Sequence, residues 1–324
     1  MKKKFEIQYI DGFSLLSREH FLIVKGIAVL VALVAYILMK FYGMSSLGPV
    51  IGAANATFLF CSGFGLSESR KFKGSLIHYW ENKIISVWIP SLVQMIICSL
   101  VFGDGIVGWT DKSPIGFSGD FLYILFGFYV AYWLAVTFFE EEKLQVVTVF
   151  ALAAVAFFLL KDRKYADQLL AFPVGMMIST LHLREKLRKC KTVTRFILTG
   201  AFAALAVGGY FLGMNMTAGL AYNAVWMVSR TATALLLVFG VGYLQWIPIF
   251  GVFAPFGLIA YGLYLFHEDI LGMVKKNNVS EGLVISLVVL IAAASVFSWL
   301  RTTLINFNKK MRRRKKTHLK GSMW

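Results

Sequence analysis

The chain has 324 residues, 58% of them hydrophobic, a net charge of +16 and a mean hydropathy of +0.69. That much apolar sequence exceeds the need of a water-soluble core of this length, and no polar stretch of domain size is left to form a second, soluble domain. The cations sit in short loops between apolar runs, a topological pattern, so a nucleic-acid partner is not expected.

Residues 1–20 are polar and mixed, without the apolar core or cleavage site of a secretory signal. They are read as an N-terminal cytoplasmic segment. Ten apolar runs follow, over about 21–41, 48–66, 83–103, 121–139, 145–160, 166–182, 195–213, 219–244, 247–271 and 282–304. Several have about 18 or more residues with almost no charge, long enough to cross a bilayer as helices. The fifth and sixth are short, and the eighth is long with a polar middle. The expected fold is therefore all-α: one polytopic transmembrane helical bundle of about ten spans over 21–304, ending in a basic tail, 305–324. Gly103 to Asp120 forms the one substantial early loop on the outer side.

Charge sets the orientation. With a cytoplasmic N-terminus, only Lys40, Lys112, Lys161, Arg163, Lys164, Lys275 and Lys276 fall outside, and Arg230 lies within a span. The other 25 of the 33 Lys and Arg fall inside, as the positive-inside rule demands. The chain is thus expected to be a multi-pass protein of the plasma membrane with both termini cytoplasmic. The tail run Lys309-Lys310-Met311-Arg312-Arg313-Arg314-Lys315-Lys316 suits anionic lipid headgroups, at about 1 kcal/mol per cation near the surface.

In chain order, the first residue that could carry chemistry is Lys25, a lone cation opening the first run. It has two readings, a topogenic charge at the inner edge or a binding cation. Tyr36 follows eleven residues later, about three turns and 16 Å along the same helix face. Phe58-Leu59-Phe60-Cys61-Ser62-Gly63-Phe64-Gly65-Leu66 ends the second run with small residues that permit close packing or close substrate approach. Lys83-Ile84-Ile85-Ser86-Val87-Trp88-Ile89-Pro90 opens the third. Arg230 is a charge inside a span. Such residues face the bundle interior or a wet cavity, here beside Asp120, Glu268 or a backbone carbonyl. Ala260-Tyr261-Gly262-Leu263-Tyr264-Leu265-Phe266-His267-Glu268 places a histidine near the outer end of the ninth run. His20, His78, His182 and His318 lie at interfaces, span ends or in the tail. Cys61, Cys98 and Cys190 show neither metal nor disulfide spacing, and no metal site is expected.

These segments resemble the integral-membrane acyltransferase family 3. The resemblance covers nearly the whole chain in span count and order. It implies transfer of an acyl group from a cytoplasmic thioester, acyl-CoA, to a hydroxyl of a cell-envelope glycan or lipid, with no bound cofactor. Polysaccharide modification belongs to the same expectation. In the family a histidine stands at the position of Tyr36 and is taken to be the general base. Tyrosine, with an ordinary pKa of about 10, is a poor substitute. The family's two arginines, three residues apart and thought to hold the donor's phosphates, correspond to Lys83 and Ser86. His267 matches the late family histidine, although Ala260 replaces the usual serine. The candidate catalytic residues are therefore His267 and Tyr36, and the candidate donor-binding residues are Lys25, Lys83 and Arg230. A second reading is a catalytically degenerate member acting as a binding, transport or partner subunit. A secondary transporter of another class is disfavoured, because the two halves show no paired broken-helix pattern.

Overall fold

A computed structural model describes residues 15–73, 76–102, 120–160, 163–183, 185–186, 191–244, 247–274 and 279–321. Nine of its helices are long and apolar enough to cross a membrane, and no strand occurs among the described residues. The chain is an all-α, multi-pass membrane bundle. The outer loop expected from Gly103 onward lies, over 103–119, outside the described residues.

The helices are α1 (Arg18–Tyr42), α2 (Gly48–Lys73), α3 (Tyr79–Lys83), α4 (Ile89–Phe102), α5 (Asp120–Phe138) and α6 (Glu142–Leu159). They continue with α7 (Arg163–Ala166), α8 (Ala171–Thr180), α9 (Thr192–Met214), α10 (Leu220–Leu244), α11 (Ala254–Gly272) and α12 (Val279–Gly321). A π-helical turn, Ile84–Trp88, joins α3 to α4, so the third span starts before Lys83. Local chemistry sets the ends of α1. The Ser17 hydroxyl accepts from the His20 N–H at the start, and Gly43, at φ +71°, closes the other end.

The sixth expected span, 166–182, is not one helix. It is α7, a turn over 167–170, and the ten-residue α8. At 1.5 Å per residue α8 is about 15 Å long, half of a hydrocarbon core about 30 Å thick. The break is stable because protein surrounds it. Leu169, Ala171, Phe172, Met176 and Ile178 are all buried, and irregular backbone at membrane depth is tolerated only where protein or water covers it. At the other extreme, the 43 residues of α12 reach about 65 Å, so the basic tail begins as a continuation of the last helix.

The contacts group into two compact units, residues 1–72 with 124–257, and residues 73–123 with 258–324. In the first, α2 and α8 meet backbone to backbone. A Cβ on Gly63 would collide with the Phe172 carbonyl, and one on Gly175 would collide with that of Phe60. The aromatic layer behind this contact includes fully buried Phe60 and Phe172, with Phe128 stacked on Phe172 at 4.7 Å between centroids. Beside it, α9 and α10 pair closely, and the Ser229 hydroxyl donates to the Ala206 carbonyl (2.8 Å). In the second unit, the Tyr261 hydroxyl donates to the Val87 carbonyl in the π turn (2.7 Å). Gln94 Nε2 donates to Asp269 (2.7 Å), and Phe266 meets Phe297 edge-on at 5.3 Å.

Candidate functional site

Lys25 stands about two turns into α1, half-buried, and lines a cavity of about 530 Å³. Phe21 and Leu22 of α1, and Cys61, Phe64, Gly65 and Glu68 of α2, share that wall. The cavity exists partly because Gly65 has open space where a Cβ would be, whereas Gly63 is filled by α8. The two glycines of one motif thus do different work. Glu68 is fixed by Lys71 (2.9 Å) and by the Ser179 hydroxyl (2.6 Å), and Lys71 also donates to the Ser179 carbonyl (2.7 Å). This network ties the end of α2 to the end of α8, and its carboxylate, Glu68, lines the cavity.

Arg230 of α10 is buried, 3% exposed, and faces the interior as expected. Its carboxylate partner is Asp167, in the turn between α7 and α8, with Nη2 to Oδ2 at 2.9 Å. This corrects the sequence expectation of Asp120 or Glu268. Nη1 donates to the Pro49 carbonyl, the backbone contact that was expected, and the guanidinium lies over the Trp226 ring at 5.0 Å. Gly52 leaves the room this arrangement needs, since a Cβ there would overlap the guanidinium. Arg230 also lines a second cavity, about 260 Å³, walled by α1, α2, α9 and α10.

Tyr36 lines neither cavity. Its hydroxyl accepts from Lys40 Nζ (3.3 Å) near the exposed end of α1, and the ammonium also lies over its ring at 5.4 Å. That geometry suits an interfacial anchor. His20, assigned to an interface from sequence, is fully buried. Its Nδ1 accepts from the Leu16 N–H (2.9 Å), which puts the proton of the neutral ring on Nε2 and gives it a structural role at the start of α1.

Lys83 and His267 belong to the second unit, Lys25, Tyr36 and Arg230 to the first. His267 Nδ1 lies 2.6 Å from the Tyr264 carbonyl. A carbonyl can only accept, so Nδ1 carries the proton and Nε2 holds the basic lone pair. The Lys83 ammonium lies 5.8 Å from the centre of the Tyr79 ring. Arg301 of α12, which sequence reasoning left among the inner cations, donates through Nε to the Ser86 carbonyl (2.7 Å) and lies over the Tyr261 ring at 5.0 Å. A guanidinium therefore stands against the backbone of Ser86. No group of His, Cys, Asp and Glu among the described residues could hold a metal ion.

Comparison with known proteins agrees with this architecture. A family model described as an acyltransferase domain matches residues 20–302. No curated protein and no solved structure matches the chain. The match takes in every apolar helix from α1 to the membrane part of α12, and the chain belongs to the membrane acyltransferase family 3.

Proposed function

We propose that this protein is a membrane O-acyltransferase that moves an acyl group from a cytoplasmic acyl-CoA to a hydroxyl of a cell-envelope glycan or lipid. It acts in the plasma membrane with both termini in the cytoplasm. The observation that carries the reading is His267, whose Nδ1–H is fixed on the Tyr264 carbonyl within a chain of this family. The acceptor hydroxyl attacks the thioester carbonyl, and Nε2 of His267 takes its proton. The tetrahedral intermediate then collapses with cleavage of the C–S bond. The CoA thiolate leaves and takes up a proton, and the new ester stays on the acceptor. The candidate donor-binding cations are Lys25 and Arg230 in the first unit, the latter already paired with Asp167, and Lys83 in the second, where Arg301 adds a guanidinium beside Ser86. The basic tail holds anionic headgroups.

Turnover of acyl-CoA by purified, reconstituted protein with envelope glycans tests this. Loss of a general base costs about 10²–10⁴ in rate. His267→Ala should lose activity on that scale, while Tyr36→Phe keeps most of it. Robust turnover that dies with Tyr36→Phe overturns the assignment of the base. The degenerate reading is favoured by one specific observation, Tyr36 hydrogen-bonded to Lys40 where the family has its histidine. No turnover in the wild type, nor in a Tyr36→His/Ser86→Arg variant that restores the family residues, would establish that second reading.

A further inference from the structure

Pro90 constrains the third span from within. It has no N–H, so the α-helical bond from residue 90 back to the Ser86 carbonyl cannot form, and its ring crowds that carbonyl. The backbone takes the π turn Ile84–Trp88 instead, where the Ile89 N–H reaches back to the Ile84 carbonyl. Two carbonyls of the turn receive donors from distant helices. Arg301 Nε donates to Ser86 (2.7 Å) from α12, and the Tyr261 hydroxyl donates to Val87 (2.7 Å) from α11. The guanidinium lies over the Tyr261 ring at 5.0 Å, so the two donors brace each other. About two turns further along the same face of α12, Asn308 Nδ2 donates to Glu81 of α3 (2.9 Å). All of these residues belong to the second unit. Lys83 stands between the two grips, immediately before the turn.

We propose that Arg301 is a positioning residue for donor binding. Its hold on the Ser86 carbonyl keeps the π turn in place, and the turn aims Lys83 at the incoming acyl-CoA. The role rests on the acyl-transfer reading, in which Lys83 is a donor-binding cation. A π turn carries one residue more than the α-helical path. One residue is about 100° of rotation, so a turn that slipped by one residue would swing Lys83 more than a quarter of the way round relative to α4. The hydrogen bond from Arg301 falls on the carbonyl that Pro90 deprives of its α-helical donor, close after Lys83 in the chain. What the turn needs from Arg301 is the Nε–H. Arg301 therefore acts on the donor through Lys83 and does not touch it.

The test measures acetyl-CoA binding to the full chain in nanodiscs, with the folding of each variant checked by thermal melting. Glutamine puts its amide nitrogen where arginine has Nε, so Arg301→Gln keeps the donor and removes the charge. Arg301→Met should weaken binding about tenfold, because apparent affinity falls with the fraction of molecules in the competent geometry, and Arg301→Gln should restore it. Equal losses in the two variants overturn the proposal, since that is how a guanidinium in direct contact with the donor behaves. No loss in either also overturns it. In a Lys83→Met background, Arg301→Met should cost nothing further, and additive losses overturn the link to Lys83. A second measurement needs no donor. Cysteines placed at 81 and 308, in a background without native cysteines, report the seating of α3 by their rate of disulfide formation. The rate should fall in Arg301→Met and return in Arg301→Gln, and an unchanged rate in Arg301→Met overturns the hold on the turn. If the rate follows this pattern while the wild type binds no acetyl-CoA, the hold on the turn stands, and the acyl-CoA reading falls together with the donor role of Arg301.

Discussion

Arg230 and Asp167 form a deeply buried ion pair. Both side chains are 3% exposed and they meet at 2.9 Å. Removing one partner of such a pair strands a buried charge and costs about 3–5 kcal/mol, while replacing both with apolar groups is often neutral. Asp167→Leu alone should therefore lower the melting temperature in detergent sharply. The double variant Asp167→Leu/Arg230→Leu should recover much of the loss. Additive losses would show that each residue acts through other contacts. His267 and Tyr36 divide on similar grounds. The His267 ring has Nδ1 held on the Tyr264 carbonyl of its own helix, whereas the Tyr36 phenol accepts from the Lys40 ammonium near the exposed end of α1.

At the scale of elements, the glycines of α2 separate packing from access. Gly63 sits against the Phe172 carbonyl of α8, with no flexible side chain there to give way. Gly63→Ala should destabilise by about 1–3 kcal/mol, the usual cost of overpacking. Gly65 faces open space, and Gly65→Ala should be tolerated within about 0.5 kcal/mol or gain slightly from helix propensity. Equal thermal shifts for the two variants would refute the division. The break between α7 and α8 works the other way. It gives up helical hydrogen bonds to bring Asp167 to Arg230, and the burial of α8 protects the backbone that the break exposes.

For the whole molecule, the open question of topology is whether the α7–α8 pair crosses the membrane. The six cations Arg184, Lys186, Arg188, Lys189, Lys191 and Arg195 follow it, and a crossing puts them on the inner side. Glu141, before α6, and Asn215, after α9, then lie on opposite faces. Cysteines placed at 141 and 215 in a background without native cysteines should react with an impermeant reagent from opposite sides. Reaction of both from one side would show that α7–α8 turns back without crossing.

The apolar runs and the placement of cations determined the class, the approximate spans and the interior position of Arg230. Those are properties of local composition, because bilayer thickness and the cost of a buried charge act on each segment directly. The family itself was legible in the sequence, and its model matches residues 20–302. Other features belong to the tertiary structure alone. Asp167 reads as the edge of an ordinary span until α10 supplies its partner from 63 residues away. Arg301 reads as one more inner cation until α12 brings it to Ser86, 215 residues earlier. Gly63 and Gly65 look equivalent until α8 fills the space beside one of them. The pocket beside Arg230 is made by small residues on four helices, and no single segment carries its signature. Sequence specifies each helix through its own solvent; which faces meet, and what space they leave, is decided by packing between helices distant along the chain.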